Sequence, residues 1–240
     1  MFIQLPLKMG LREAVSFDTF VSPDTQTELA LARFQTSLQK NRGETFYLQG
    51  PKGAGKTHLL QAACRLMSEQ EQQSVFLPLA DPELPLIADV LHGLEKTHLI
   101  CLDDVEQVVG DSGWDQALTR LLSRARSLGH SVVLSGEADL SQWPTQRSEL
   151  SQSLMSVLPI SIPALTDPRS LVQALQKQAG KLGFELPLDV GNYLVRQFSR
   201  DLQELMSVMK ILEQASVMEK RRVTLPFVKQ VLTESVSTKV

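Results

Sequence analysis

Two hydrophobic rhythms alternate between Thr45 and Ile162. Short apolar runs at Thr45–Gln49, Ser74–Leu79, His98–Leu102, Ser131–Leu134 and Leu158–Ile162 predict five strands. Between them, apolar residues recur at helical spacing. Over Gly55–Glu69 the residues Leu59, Leu60, Ala63, Leu66 and Met67 share one side. The same spacing predicts helices over Leu84–Leu94, opened by proline punctuation, and over Trp114–Leu128. Buried strands alternating with amphipathic helices imply a parallel sheet covered on both faces. An earlier helix is expected over residues 24–40, where Leu29, Ala30, Ala32, Phe34 and Leu38 fall at helical spacing and Asn41-Arg42-Gly43 makes a stop.

After Pro163 the strand rhythm ends. Thr166-Asp167-Pro168 reads as a cap with proline in the first turn, opening a helix to about Leu182 that Gly183 terminates. Further helices are expected from Pro187, over Asp201–Lys220 and over Pro226–Leu232. The expected organisation is a tail (1–16), an α/β domain (17–163) and a small all-α domain (164–240). In the tail neither period is sustained.

With 240 residues, 42% hydrophobic and 21% charged, the chain can build such a core. Its net charge of −3 argues against broad, sequence-independent nucleic-acid binding and leaves room only for a local basic patch. Cys64 and Cys101 sit in apolar runs and read as buried thiols in a reducing compartment, and the four scattered histidines give no zinc spacing. The start, MFIQLPLKMG, has no signal-peptide pattern, and no apolar run approaches the ~20 residues that span a bilayer. A cytoplasmic protein is expected.

The most specific motif is Gly50-Pro51-Lys52-Gly53-Ala54-Gly55-Lys56-Thr57, a G-x-x-x-x-G-K-[ST] phosphate loop with a strand before it and a helix after it. Glycines let backbone N–H groups turn inward around phosphate oxygens, and Lys56 brings a compact positive charge to the β- and γ-phosphates. The Thr57 hydroxyl can ligate Mg²⁺. The strand His98–Leu102 ends in Asp103 and Asp104. In phosphate-loop proteins such a strand delivers an Asp to the Mg²⁺ shell, so Asp103 is the expected metal ligand, and Asp104 is placed to polarise the attacking water. Ser135, ending its own strand, either bonds the γ-phosphate or water, or forms a turn.

These blocks, with Phe17-Asp18-Thr19-Phe20-Val21 and LICLDDVE, resemble the DnaA-related AAA+ family. The stretch LGFELPLDVGNYLVRQFSRDLQEL, followed by RRVTLPFVKQVL, resembles the lid of its shorter Hda branch. The resemblance runs from Phe17 to about Leu232. It implies an α/β AAA+ domain with a five-stranded parallel sheet, then a small all-α lid, without a helix-turn-helix DNA-binding module. It implies ADP or ATP with Mg²⁺, held by residues 50–57 and His58. It also implies Gln4, Leu5, Leu7 and Met9 as a motif for the DNA polymerase III sliding clamp (beta subunit). Leu5, Leu7 and Met9 could enter an apolar groove while Gln4 bonds at its rim. The implied partners are DnaA and the clamp, with no strong direct DNA binding and no membrane; a homo-oligomer stays open.

The implied function is a regulatory adaptor that promotes hydrolysis of DnaA-bound ATP and so restrains re-initiation of replication. Two family arginines are missing. The one presented to the neighbouring nucleotide corresponds to Ser153, and the one that touches nucleotide from the lid corresponds to Gln203. Arg147 and Arg200 are the nearest cationic substitutes in sequence. The expectation is tight nucleotide binding with slow intrinsic hydrolysis. Two other classes remain open: a nucleotide-gated clamp- or DnaA-binding module without stimulating activity, and a stand-alone AAA+ ATPase such as a helicase loader.

Overall fold

In the computed structural model, which describes residues 15–82, 87–145, 148–198 and 201–237, five strands form one parallel sheet. They are β1 (Thr45–Gln49), β2 (Ser74–Pro78), β3 (Leu99–Asp103), β4 (Ser131–Gly136) and β5 (Leu158–Ser161). The order is β2-β3-β4-β1-β5, so the carboxyl ends of β3, β4 and β1 lie side by side.

The strand pleat divides the core in two. Phe46, Leu48, Leu99, Cys101 and Val133 face α1 (Thr25–Gln39) and α2 (Lys56–Glu69). Tyr47, Ile100, Leu102, Val132 and Leu134 face α3 (Ser112–Leu128) and α4 (Ser148–Leu154). Leu59 and Leu60 are fully buried, each contributing about 1.5–3 kcal/mol of apolar burial. Helix starts follow their cap chemistry. Asp24 accepts from the Thr27 N–H at 2.7 Å, and Asp111 accepts from Gly113 and Trp114 at 2.9 and 3.1 Å.

The helix expected over Leu84–Leu94 is corrected. Residues 83–86 lie outside the described residues, and the remainder forms two short 3-10 turns, Ala88–Leu91 and Leu94–Lys96. His92 is extended and Gly93 takes φ +89°, which breaks the helical path. Helix α4 was not expected from the sequence. Leu150 and Leu154, one turn apart, are buried against the α3 face.

Four helices follow: α5 (Pro168–Lys181), α6 (Leu188–Gln197), α7 (Leu202–Glu219) and α8 (Leu225–Ser237). Asp167 caps α5 through the Ser170 N–H at 2.9 Å, with Pro168 in the first turn. Their apolar faces share one cluster, with Leu171, Leu175, Val190, Leu194, Leu205, Met209 and Phe227 at its centre. Helix α8 runs longer than the expected Pro226–Leu232. Among the described residues no helix is long and apolar enough to cross a membrane.

Candidate functional site

The loop leaving β1 has no room for side chains at two of its glycines. A Cβ on Gly50 would sit 2.1 Å from the Ile162 carbonyl oxygen, and Gly55 takes φ +95° with the Phe20 ring 2.8 Å from where a Cβ would be. Gly53 is also left-handed, at φ +81°. These conformations fold the loop back on itself at the start of α2, where unpaired helical N–H groups give an anion-binding end.

Lys56 lies against this loop and is 6% exposed. Its ammonium donates to the carbonyls of Gly50 at 2.6 Å and Pro51 at 3.1 Å, and it makes no ion pair among the described residues. A buried cation satisfied only by neutral oxygens has a strong demand for an anion. That is the chemistry a phosphate chain supplies.

The neighbouring residue starts an acidic network. The Thr57 hydroxyl donates to Asp103 Oδ2 at 2.6 Å, and the buried Ser135 hydroxyl donates to Asp103 Oδ1. Ser135 also accepts from the Asp104 N–H at 3.0 Å. The ends of α2, β3 and β4 are thus tied through one carboxylate. Asp103 is buried, whereas Asp104 is half-exposed and left-handed at φ +54°. Burial, then the Asp103 charge, raises the Asp104 carboxyl above its usual range, and Lys56 opposes the shift. Glu106 and Glu137 add to that negative field. A polyphosphate fits beside these acids with a divalent cation between them, and one carboxylate plus one hydroxyl is a sufficient protein share for Mg²⁺. No cluster of three or more acidic, His or Cys ligands exists among the described residues.

The expected loop residues, Thr57 and Asp103 therefore converge. Ser135 joins them through its bonds to Asp103 and Asp104, which makes it a positioning group for the acidic pair. The His58 ring turns elsewhere. Its Nε2 lies 2.9 Å from the Ser16 carbonyl and 3.1 Å from the Thr19 hydroxyl. Burial pushes its pKa down, and the Ser16 bond opposes that shift.

His58 belongs to a feature the sequence reading did not resolve. Residues 15–21 form a strap across the base of α2. Arg65 donates to the Val15 carbonyl at 3.4 Å, and the Phe20 ring covers Gly55. Lys177 of α5 donates to the Phe20 carbonyl at 3.1 Å, and Val21 packs against the helical cluster. The FDTFV block was the available signal, but the helix it binds lies about 40 positions away in sequence.

Gln4, Leu5, Leu7, Met9, Arg147 and Arg200 lie outside the described residues, as does the Gln203 side chain. Ser153 is on α4, its hydroxyl donating to the Glu149 carbonyl at 2.9 Å. Next to it, Ser156 donates to the Ser153 carbonyl at 2.9 Å and accepts from the Arg126 guanidinium.

Comparison with known proteins agrees with this architecture. Residues 168–232 match the family model "Hda, lid domain". The fold is similar to domain III of the Thermotoga maritima replication initiation protein DnaA, with a TM-score of 0.71 at 18% identity, over 91% of this chain and 95% of that one. It is similar to AMPPCP-bound DnaA from Aquifex aeolicus, with a TM-score of 0.64 at 17% identity, over 85% of this chain and 67% of that one. The Thermotoga maritima RuvB branch-migration motor also matches, with a TM-score of 0.63 at 16% identity over 93% and 72%. At these identities the likeness establishes the fold.

Proposed function

We propose that this chain, a DnaA-related AAA+ protein with an Hda-type lid, binds an adenine nucleotide with Mg²⁺ and acts as an adaptor on DnaA. In this reading it docks on the DNA-loaded sliding clamp through Gln4, Leu5, Leu7 and Met9 and promotes hydrolysis of DnaA-bound ATP. The observation that carries the nucleotide assignment is the buried Lys56 ammonium, held by carbonyls alone at the mouth of a glycine loop. AMPPCP in the Aquifex aeolicus DnaA structure supports the adenine-nucleotide class.

Bound nucleotide and Mg²⁺ would supply the phosphoanhydride bond and the charge that offsets its phosphates. Lys56 would exchange its carbonyl partners for phosphate oxygens, and the backbone N–H groups of residues 50–57 would cradle them. Thr57 and Asp103 would hold the metal, with Ser135 fixing the second Asp103 oxygen. Asp104, a stronger base than an ordinary exposed carboxylate, would orient and deprotonate water.

A second reading, a nucleotide-gated binding module without stimulating activity, is favoured by Ser153. A hydroxyl spent on the Glu149 carbonyl cannot stand in for a guanidinium on a partner's phosphates. In the adaptor reading Arg126, which donates to Ser156 next to Ser153, would take that part.

The test follows ADP formation from radiolabelled ATP–DnaA, with and without DNA-loaded clamp. Clamp-dependent hydrolysis that falls at least tenfold in Arg126→Ala or Arg147→Ala supports the adaptor reading. Stable association without hydrolysis would establish the second. Calorimetry that detects no uptake of ADP or ATP at millimolar Mg²⁺ would remove both.

A further inference from the structure

In a parallel sheet every strand begins at the same edge, so the segments preceding β3, β4, β1 and β5 lie in a row opposite the phosphate loop. The register confirms the alignment. Leu99 pairs with Ser131, Val132 with Thr45 and Phe46 with Leu158, and the Ser131 N–H bonds the His98 carbonyl at 2.9 Å. These segments carry Lys96 before β3, Arg124 and Arg126 before β4, and Lys40 and Arg42 before β1, all exposed. Against five cations these four segments hold two carboxylates, and the segment before β2, on the far side of β3, carries Glu69 and Glu71. Glu95 is buried and paired with Arg124 at 3.0 Å, and Glu44 accepts from Ser37 at 2.5 Å. Lys40, Arg42 and Lys96 make no ion pair among the described residues. The row occupies the β3-β4-β1 stretch of one edge of a chain whose total charge is −3.

The edge is also rigid. A Cβ on Gly43, at φ +64°, would sit 2.7 Å from the backbone of Gly129, so the turn bearing Arg42 rests directly on the end of α3. The His98 and His130 rings meet at a 46° tilt with centroids 5.1 Å apart, and His130 Nδ1 lies 2.8 Å from the Glu95 carbonyl, which fixes the β3 segment to the β4 segment. The cations are therefore presented by braced turns and by the last turns of α3.

We propose that this amino-terminal edge of the sheet is a docking surface for the phosphodiester backbone of duplex DNA. From β3 to β1 the cations span about 10 Å at the usual strand spacing, a length of duplex that carries about six phosphate charges. Protein–protein interfaces are depleted in lysine and built around aromatic anchors, whereas DNA interfaces are polar and strongly cationic. The segments in the row contain no tryptophan, tyrosine or phenylalanine, and the exposed apolar side chains beside them are the single residues Leu128 and Met155. Whole-chain charge hides this surface because the remaining residues are acidic in sum.

The test is fluorescence anisotropy of the full chain with a labelled 20-base-pair duplex of arbitrary sequence, from about 30 to 200 mM salt. With three to five phosphates neutralised, log K should fall against log salt with a slope of roughly −3 to −4.5. The combined variant Lys40→Glu, Arg42→Glu and Lys96→Glu should bind at least tenfold more weakly, with a slope shallower by about three. Lys210→Glu, on the exposed side of α7, should bind within twofold of the parent. If the triple variant melts far below the parent, Lys40→Gln, Arg42→Gln and Lys96→Gln are read singly, each flattening the slope by about one. Salt-independent binding, no binding at low salt, or a triple variant equal to the parent overturns the proposal. So does capture of polyglutamate without capture of duplex, which would assign the edge to an acidic protein.

Discussion

Lys56 and Asp104 carry opposite electrostatic costs within one small site, and each can be relieved by a single substitution. Lys56→Met keeps the length of the side chain while removing a buried charge that only carbonyls satisfy. Without nucleotide we expect its Tm to rise by about 2–4 °C, the scale of 1 kcal/mol in a chain of this size. In calorimetry the same variant should lose at least 100-fold in ADP affinity. A variant that kept its affinity would separate Lys56 from phosphate binding. Asp104→Asn should also stabilise. The native carboxyl is raised, so its charged form is disfavoured on folding, and wild-type stability drops as pH rises from the unfolded pKa through the folded one. The variant should therefore gain about 1–3 °C at pH 7, with solvent on the exposed side limiting the gain. The gain should vanish below about pH 3.8. A variant less stable at pH 7 contradicts this. At this scale the phosphate loop was legible in the sequence because its residues are contiguous and each glycine has a local reason. The commitment of the Ser135 hydroxyl to Asp103 and Asp104 was not, because β3 and β4 meet only through the sheet.

Elements were read best where burial imposed one period. All five strands and helices α1, α2, α3, α5, α6 and α7 fell close to their expected places. The segment at Leu84–Leu94 failed because its apolar residues satisfy a helical count while His92 and Gly93 take non-helical angles. The strap was invisible for a different reason, since its partners are set by tertiary packing. Gly55→Ala should expose that packing. It places a methyl group against Phe20 at φ +95°, which costs about 1–3 kcal/mol and should lower Tm by roughly 2–12 °C. His58 gives the strap a pH dependence. Its folded pKa is lowered, so the stability it supports is complete above about 6.5 and declines as pH falls toward the folded value. His58→Gln should flatten the loss of strap protection between pH 7 and pH 5 in pulsed hydrogen exchange. An unchanged slope would assign the acid sensitivity to another group.

For the molecule as a whole, the sequence indicated an α/β part followed by helices, and the apolar clusters fall along that division, with Val21 crossing it from the strap. It did not indicate that residues 15–21 touch the last third of the chain. Lys177→Met, which removes the donor to the Phe20 carbonyl, should speed exchange across residues 16–21 and leave the amides around Leu171 and Leu175 protected. Equal loss in both segments would show that the lysine supports the helical core. The strap also determines how the protein bears mechanical load. A pull applied at Val15 meets the contacts to Arg65, His58 and Lys177 before it meets any strand. In force spectroscopy with a handle attached at Val15, the first rupture should release the ten residues from Val15 to Asp24, a lengthening of about 35 Å. Load taken up at the strap can thus tug on the helical bundle while the sheet stays whole.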